Sequence, residues 1–179
     1  MRKEYSRVLR DSFAKLIKAN VPKFKPAKVK SQYLWPGERV FLWDTKELVH
    51  VYVILSPSLK GHDEFTIDIG WSRLGRFPEI GARGSRSPTA ERKEFQEMEF
   101  ACRLSALWSD VDEFWKFYDD RALMSDPMQH ILSQAQDITQ EQAEATVKPH
   151  VEDAIDKLVN YGLPYLDAFV ESLEVERKD

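Results

Sequence analysis

A strict alternation of apolar and polar side chains constrains the fold of this chain more than any other feature. Apolar residues fall at every second position over residues 49–55 and again over residues 65–71. Successive side chains of a pleated strand point to opposite faces, so this spacing indicates two strands that each carry one apolar face. The polar stretch 56–63 between them closes the pair. We therefore predict an antiparallel β-hairpin.

Further strands are expected on both sides of this hairpin. Residues 33–35 and 39–43 flank a Pro36-Gly37 turn and predict a first hairpin, and residues 20–31 read as an extended connection. Residues 98–107 also alternate, which favours a strand and leaves a helix as the alternative. Strands that follow one another along a chain usually pair, so the sheet is predicted to be an antiparallel meander.

Helical spacing dominates the two ends of the chain. An apolar stripe from Tyr5 to Ile17 predicts a first helix over residues 3–19, which ends before Pro22. A short helix is predicted from Ser109, over residues 109–118. Another is predicted to start at Ser125-Asp126-Pro127, where the proline suits the first helical position.

The C-terminal helices are predicted from capping signals. Thr139 and Gln142 match a capping box that opens a longer helix, and Pro149 inside it predicts a kink or two abutting helices. Residues 160–162, with Pro164 after them, predict a Schellman-type stop before a last short helix. The fold class that follows is α+β. We predict a single domain over residues 1–179, with an antiparallel sheet of four to six strands packed against the N-terminal and C-terminal helices.

Charge is distributed unevenly along a chain whose net charge is −4. Residues 1–30 carry ten basic and two acidic residues, and residues 97–179 carry seven basic and nineteen acidic ones. Either the two ends lie near each other and offset each other's field, or the basic end meets a polyanion. We find no signal peptide and no apolar run long enough to span a membrane, and the single cysteine excludes an internal disulfide. These features predict a cytoplasmic protein without a membrane partner.

Several short stretches resemble a bacterial family of uncharacterised proteins, known as domain of unknown function 4304. The stretches are residues 13–16, 51–56, 65–71, 100–104, 112–115 and 161–166. The third contains an Ile69-Gly70-Trp71 step, and the fifth is Asp112-Glu113-Phe114-Trp115. The resemblance implies an α+β fold with an antiparallel sheet. It provides no catalytic residues to carry over to this chain and adds almost nothing about activity.

Asp68 is the acidic residue that draws most attention. It lies in mid-strand between two isoleucines, on the face opposite the apolar one. If a helix covers that face, Asp68 is buried and needs a partner; otherwise it is solvated, which we take as the default. His50 and Tyr52 lie on the polar face of the adjacent strand, so the three side chains are a candidate ligand-binding cluster.

Residues 73–93 are predicted to form a long mobile loop, because glycines, prolines and cations follow one another without periodicity. Its glycine spacing matches neither a P-loop nor a dinucleotide-binding motif. Arginine nevertheless binds phosphate well through paired hydrogen bonds. The candidate phosphate ligands are Arg73, Arg76, Arg83 and Arg86.

Other chemistries have less support in the sequence. The four histidines lack metal-ligand spacing, and the triplet His62-Asp63-Glu64 is expected to be a solvated turn, so we predict no metal site and no cofactor. Cys102 on an apolar strand is expected to be a small buried residue and not a nucleophile. Trp35 at the Pro36-Gly37 turn is either a contact residue or folded back over the sheet.

The sequence thus favours a non-enzymatic binding or interaction protein whose partner is a protein or a small molecule. The alternative is binding of a phosphate ligand or nucleic acid through the arginine-rich loop. A third hypothesis is an enzyme with a site around Asp68.

Overall fold

Six strands form one antiparallel sheet in the part of the chain that the structure describes. The structure is a computed structural model, and it describes residues 1–45, 49–60, 62–118 and 137–175. The strands are β1 (Lys25–Ala27), β2 (Arg39–Asp44), β3 (His50–Pro57), β4 (Glu64–Ser72), β5 (Glu99–Arg103) and β6 (Trp115–Lys116). They are paired in the order β1-β2-β3-β4-β5, and β6 pairs with the start of β4. The predicted hairpin and meander are confirmed.

Three α-helices accompany the sheet within the described residues: α1 (Lys3–Asn20), α2 (Gln140–Lys157) and α3 (Leu163–Val175). The capping box at the start of α2 is confirmed. The Thr139 hydroxyl accepts a hydrogen bond from the Gln142 amide at 3.2 Å, and the Gln142 side chain accepts one from the Thr139 amide at 2.8 Å. These contacts satisfy two amides that the first helical turn cannot pair. The fold is α+β, as predicted.

One face of the sheet packs against all three helices. Side chains from β3 and β4, such as Val51, Val53 and Ile69, are fully buried there among residues of α1, α2 and α3. Trp71 lies within this core, and its ring stacks on Phe169 of α3 at 3.9 Å between ring centroids. We call this the helical face. Its apolar character follows directly from the alternation along β3 and β4.

The opposite face is covered by residues 73–93, and we call it the loop face. A small apolar cluster of Val40, Tyr52, Ile54 and Phe77 is buried there. All nine residues of β4 are consequently buried, although only alternate ones were expected to be apolar. Residues 73–93 contain a short 3-10 helix at Arg83–Ser85 and lead into a second at Lys93–Gln96. The mobility predicted for this loop stays a prediction.

The predicted first hairpin is wrong in one of its strands. Residues 33–35 form a turn, and β1 (Lys25–Ala27) occupies the edge of β2 in their place. The physical reason is that side chains take their amides: Trp35 N donates to Glu38 at 2.8 Å and Tyr33 N donates to Ser31 Oγ at 3.1 Å. Amides bonded in this way are withdrawn from strand pairing.

The helix predicted over residues 109–118 is also wrong. Trp115 instead pairs with Phe65 as part of β6, and their rings stack at 5.3 Å between centroids. Burial of two aromatic rings against each other outweighs the local helical spacing. The strand predicted over 98–107 is confirmed for Glu99–Arg103, after which the chain forms a 3-10 helix at Leu104–Leu107.

The Schellman-type stop predicted at residues 160–162 is wrong. The chain passes through a π-helical turn at Leu158–Gly162 and continues directly into α3. Gly162 serves packing here, because a Cβ atom would come within 2.8 Å of Leu158 and 2.9 Å of Leu104. Pro149 lies inside α2, which is assigned as one continuous helix.

One predicted element, the helix that was expected to start at Ser125-Asp126-Pro127, lies outside the described ranges. Among the residues that are described, no helix is long and apolar enough to cross a lipid bilayer.

Candidate functional site

A buried cluster of charged side chains lies on the loop face, with Asp68 of β4 at its centre. Asp68 is 1% exposed. The Arg83 guanidinium approaches one carboxylate oxygen, with 3.0 Å between Nε and Oδ2, and Arg103 approaches the other, with 3.4 Å between Nη1 and Oδ1. Arg103 reaches this position because it lies directly opposite Asp68 in the β4–β5 register. The default expectation that Asp68 is solvated is wrong, since residues 73–93 cover it.

A second carboxylate, Glu38, lies beside the first. Arg83 is only 6% exposed and forms an ion pair with Glu38 as well as with Asp68. The Ser56 hydroxyl lies 2.8 Å from Glu38 Oε1 and 2.8 Å from Asp68 Oδ2. A hydroxyl carries a single hydrogen, so Ser56 can donate to only one of these carboxylates at a time.

Burial shapes the electrostatics of Glu38. Desolvation raises the pKa of its carboxyl above the ordinary value of 4.5, and the nearby Arg83 guanidinium opposes that rise. The amide of Trp35 and the hydroxyl of Ser56 also lower the pKa by hydrogen bonding, but burial is the larger effect. Glu38 therefore holds its proton more tightly than an exposed glutamate does.

Hydrogen bonding in the cluster is incomplete within the described residues. Asp68 Oδ1 accepts no hydrogen bond there, although Arg103 lies within ion-pair distance of it. Arg103 Nε makes an ion-pair contact of 3.0 Å with Asp112 without a well-formed hydrogen bond. A buried carboxylate oxygen without a hydrogen-bond donor is unusual, and each such atom calls for an explanation.

The cluster forms the floor of a cleft of about 330 Å³. Its walls come from the end of β3, the start of β4 and the 3-10 helix at Arg83–Ser85. Three apolar side chains at the rim are exposed: Trp35 at 43%, Leu59 at 49% and Phe114 at 37%. The Phe114 ring lies 5.2 Å from the Arg103 guanidinium. The cleft thus combines a charged floor with an apolar rim, the composition of many ligand pockets.

The structure does not bring His50 and Tyr52 to Asp68. All three lie on the loop face, but His50 pairs with Ser72, four residues along β4 from Asp68. His50 Nδ1 lies 3.1 Å from the Tyr52 hydroxyl, and neither residue lines the cleft. Burial raises the pKa of the Tyr52 hydroxyl. The predicted three-residue cluster is therefore divided into two separate groups.

Only one of the four candidate arginines, Arg83, lines the cleft. Arg76 forms ion pairs with Glu79 and Glu99, and Arg86 forms one with Glu97. The Arg73 side chain donates a hydrogen bond to the carbonyl oxygen of Phe95 at 2.5 Å. Three of the four arginines thus already face carboxylates of the same chain.

Sequence reasoning missed Glu38 and Ser56. Glu38 follows a turn, where an acidic residue is ordinarily exposed to water. No pattern in the sequence predicts that a distant loop buries it. The alternation around Cys102 does place Arg103 on the opposite face of its strand, so the face of Arg103 could be deduced. Its pairing with Asp68 required the strand register.

The remaining candidates from the sequence, Cys102 and residues 62–64, have contacts that indicate a structural role. Cys102 is fully buried on the helical face, and burial raises the pKa of its thiol, as expected for a packing residue. The solvated turn expected at residues 62–64 is wrong, because Asp63 is 2% exposed and Arg2 Nε contacts its carboxylate at 2.7 Å. Within the described ranges, no group of three or more histidine, cysteine, aspartate or glutamate residues could hold a metal ion.

Comparison of the chain with family models, with curated proteins and with solved structures finds no match. The resemblance to domain of unknown function 4304 therefore stays a prediction.

Proposed function

We propose that this chain is a non-enzymatic binding protein that holds a small, neutral, hydroxyl-bearing molecule in the Asp68 cleft. The observation that carries the proposal is the Asp68 carboxylate, which is almost fully buried at the cleft floor while its Oδ1 accepts no hydrogen bond from the described residues. Oδ1 is closed to solvent in this structure, so a ligand hydroxyl would supply the missing donor once the Arg103 side chain beside it moves. It would also accept a hydrogen bond from Arg103, and a group that both donates and accepts suits this pair of partners.

Charge balance supports a neutral ligand. The cleft is lined by three cationic side chains, Lys60, Arg83 and Arg103, and by three acidic ones, Glu38, Glu64 and Asp68. An anion such as phosphate would meet as many carboxylates as cations there, and removing it from water would be poorly compensated. Uncharged polar ligands avoid this cost.

The rim supports a ligand with an apolar side. Trp35 and Phe114 present aromatic surface to solvent beside the polar floor. Sugars and related polyols have faces of C–H groups beside their hydroxyls, so they can pack on an aromatic ring and fill polar positions at the same time. We therefore favour a saccharide or polyol.

A protein partner is the second candidate, and the same rim supports it. Trp35, Leu59 and Phe114 are all exposed apolar side chains at one opening. Grouped apolar residues of this kind are typical of protein contact sites. In that case the rim would carry the binding energy, and the polar floor would contribute little.

The other hypotheses have weaker support. Phosphate or nucleic-acid binding through the arginine-rich loop would have to displace the acidic partners of Arg76, Arg83 and Arg86. An enzyme with a site around Asp68 draws support from the raised pKa of Glu38, which suits a proton donor. A cytoplasmic location remains part of the proposal and rests on the single cysteine, which leaves no internal disulfide.

The proposal is tested by thermal unfolding in the presence of a ligand panel. The panel contains neutral mono- and disaccharides, polyols, and inorganic phosphate as the charged comparison. A ligand at about one hundred times its dissociation constant stabilises the native protein by about 2.7 kcal/mol. We expect at least one neutral member to raise the melting temperature through the cleft, whereas any shift caused by phosphate should survive substitution of the cleft rim.

Variants at the rim separate binding from stability. Trp35→Ala with Phe114→Ala should abolish the shift, whereas Leu74→Ala should preserve it. Leu74 is a matched control because it is 43% exposed, as Trp35 is, and does not line the cleft. A shift that survives the rim double variant would place the ligand elsewhere. No shift with any neutral ligand would overturn the small-molecule proposal.

A further inference from the structure

A second cleft, of about 720 Å³, lies between α1 and the strands β1 and β2, and no residue lines both clefts. Four cationic side chains line it: Arg7, Arg10, Lys28 and Arg39. Asp11 is its single acidic residue, and Val29, Leu34 and Phe41 contribute apolar surface. We call this the basic groove. Unlike the Asp68 cleft, it has a strong excess of one sign of charge.

None of the four cations of the basic groove forms an ion pair with a carboxylate among the described residues, although Arg7 lies close enough to Glu144 to help Lys148 and Gln140 lower the pKa of that carboxyl. The side chains of Arg39 and Lys28 form neither a hydrogen bond nor an ion pair there. Arg10 Nε donates to the Ser6 carbonyl of its own helix at 3.0 Å, and Arg7 donates to the side-chain oxygen of Gln140. The contrast with Arg76, Arg83 and Arg86 is direct, since each of those forms an ion pair with a carboxylate.

This arrangement suits a ligand with more than one negative charge. Three of the four cations are arginines, whose planar guanidinium binds phosphate through two parallel hydrogen bonds. The apolar residues offer contact surface for an organic group next to the phosphates. The volume lies within the range of sites that bind small organic ligands and cofactors.

We propose that the basic groove binds the phosphate groups of a nucleotide, either free or within a single-stranded nucleic acid. Arg10 and Arg39 bind phosphate oxygens, and Lys28 adds a third cation. The base or sugar packs on the apolar residues near Phe41. The phosphate chemistry that the sequence suggested for the arginine-rich loop therefore belongs to α1 and β2. This site is separate from the Asp68 cleft and does not depend on what binds there.

The test is fluorescence anisotropy at low salt with two labelled probes, an ATP analogue and a single-stranded oligonucleotide of twelve residues. The protein is compared with the Arg10→Gln, Arg39→Gln double variant. Both side chains lack tertiary partners, so the variant is expected to fold, and its melting temperature checks this. We expect at least tenfold weaker binding. The salt dependence of oligonucleotide binding should lose about one unit of slope for each lost phosphate contact.

The matched control is Lys15→Gln with Lys18→Gln. These lysines lie on α1, are exposed, and do not line the basic groove, so the control removes the same number of positive charges without changing the groove. It should change the affinity less than twofold. Equal weakening by both double variants would overturn the proposal. The loss of affinity would then come from the overall positive charge of the protein and not from contacts in the groove.

The two probes distinguish the source of the phosphate. Equal affinity for the ATP analogue and the oligonucleotide indicates a free nucleotide, and much tighter binding of the oligonucleotide indicates a single strand. Either result supports the proposal that the basic groove binds phosphate groups. Absence of binding to both probes, or equal competition by polyglutamate, would overturn it. Thermal shifts by saccharides should be unchanged in the groove variant, so failure here leaves the proposal for the Asp68 cleft intact.

Discussion

The helical face and the loop face of the sheet are built from the same two central strands, yet they are closed by different means. On the helical face, side chains such as Trp71 and Ile69 meet three helices and form a continuous apolar core. On the loop face, Ile54 and Tyr52 meet Phe77, and the neighbouring Asp68 meets Arg83. One face is closed by apolar burial, the other by a mixture of apolar contacts and ion pairs.

The difference shows on which face of the sheet this chain buries charged side chains, whose desolvation destabilises the fold. Burial of apolar surface stabilises a fold without demanding exact partners, whereas each buried charge must be matched. The loop face carries Glu38, Asp68 and Arg83, all less than one-tenth exposed, while the core of the helical face is mostly apolar and includes the Glu94 carboxylate only with a hydrogen bond from the Tyr165 hydroxyl. These three buried charges lie beside a cleft, and buried charged groups in a cleft are typical of functional sites.

The largest expected effect is on the helical face. Trp71→Ala should lower the free energy of unfolding by about 3–5 kcal/mol, the usual cost of truncating a buried large aromatic residue. The reason is the loss of stacking on both Phe169 and Phe100, which lie 3.9 Å and 4.8 Å from Trp71 between ring centroids. Denaturant unfolding measures the change.

Phe77→Ala is the comparison on the loop face. Phe77 is also buried and contacts Tyr52 at 5.2 Å between ring centroids, but it belongs to a loop that can collapse into the space left behind. We expect a smaller cost than for Trp71. An equal or larger cost would mean that the loop face is as rigidly packed as the helical face.

The second effect concerns the ion pairs. Arg83→Ala should destabilise the protein by about 3 kcal/mol, at the lower end of the range for removing one partner of a buried pair. Glu38 and Asp68 would both lose their buried cation, but a displaced loop would let water reach them. Urea unfolding measures the change. Arg86→Ala is the control, because Arg86 and Glu97 are only partly buried, and it should cost less than about 1 kcal/mol.

A negligible cost for Arg83→Ala would show that the cluster adds nothing to stability. The double variant Asp68→Asn, Arg83→Ala separates the two contributions further. If the ion pair is responsible, the double variant should cost less than the sum of the two single variants.

The sequence predicted the helical face well because periodicity carries the relevant information. Alternation located β3 and β4, and the apolar stripe located α1, since each pattern needs only local geometry. The error at residues 109–118 arose where a distant contact decided the outcome, and the error at residues 33–35 arose where nearby side chains took the amides that a strand would need. Trp115, for example, is a strand residue because Phe65 lies across from it.

The candidate site was harder to predict because it is assembled from separate parts of the chain. Asp68 could be singled out as a polar residue in an apolar strand. Its partner Arg83 lies fifteen residues later in a segment without periodicity, and Glu38 lies thirty residues earlier. Local patterns do not encode contacts between a loop and a sheet, so the cluster emerged only with the tertiary structure.

The third effect tests whether the loop face opens. Arg83 is 6% exposed, whereas Arg92 and Lys93 are exposed. Brief digestion with trypsin should therefore cut after Arg92 or Lys93 roughly tenfold faster than after Arg83, which corresponds to about 1.4 kcal/mol of local protection. Mass spectrometry of the first fragments identifies the sites. Early cleavage after Arg83 in the native protein would instead confirm the mobility predicted from the sequence.

The smallest effect is a difference in pH dependence between two buried glutamates. Burial raises the pKa of Glu38, so the native state binds its proton more tightly than the unfolded state, and stability falls as pH rises above about 4.5. Burial also acts on Glu94, but hydrogen bonds from Tyr165 and Thr89 outweigh it and lower the pKa. Stability from Glu94 is therefore present above about pH 4.5 and lost as pH falls through the lower native value.

Glu38→Gln and Glu94→Gln should consequently change the pH profile of stability in opposite directions. Above about pH 4.5, the stability of Glu38→Gln should rise relative to the unmutated protein, by no more than the one-proton limit of about 1.4 kcal/mol per pH unit. Below about pH 4.5, the disadvantage of Glu94→Gln should shrink as the pH falls. Urea unfolding between pH 3 and pH 7 measures both. A falling profile for Glu38→Gln would mean that the Arg83 guanidinium, and not burial, controls the Glu38 carboxyl. The loop face would then hold a fully ionised pair, which suits a structural clasp better than a proton donor.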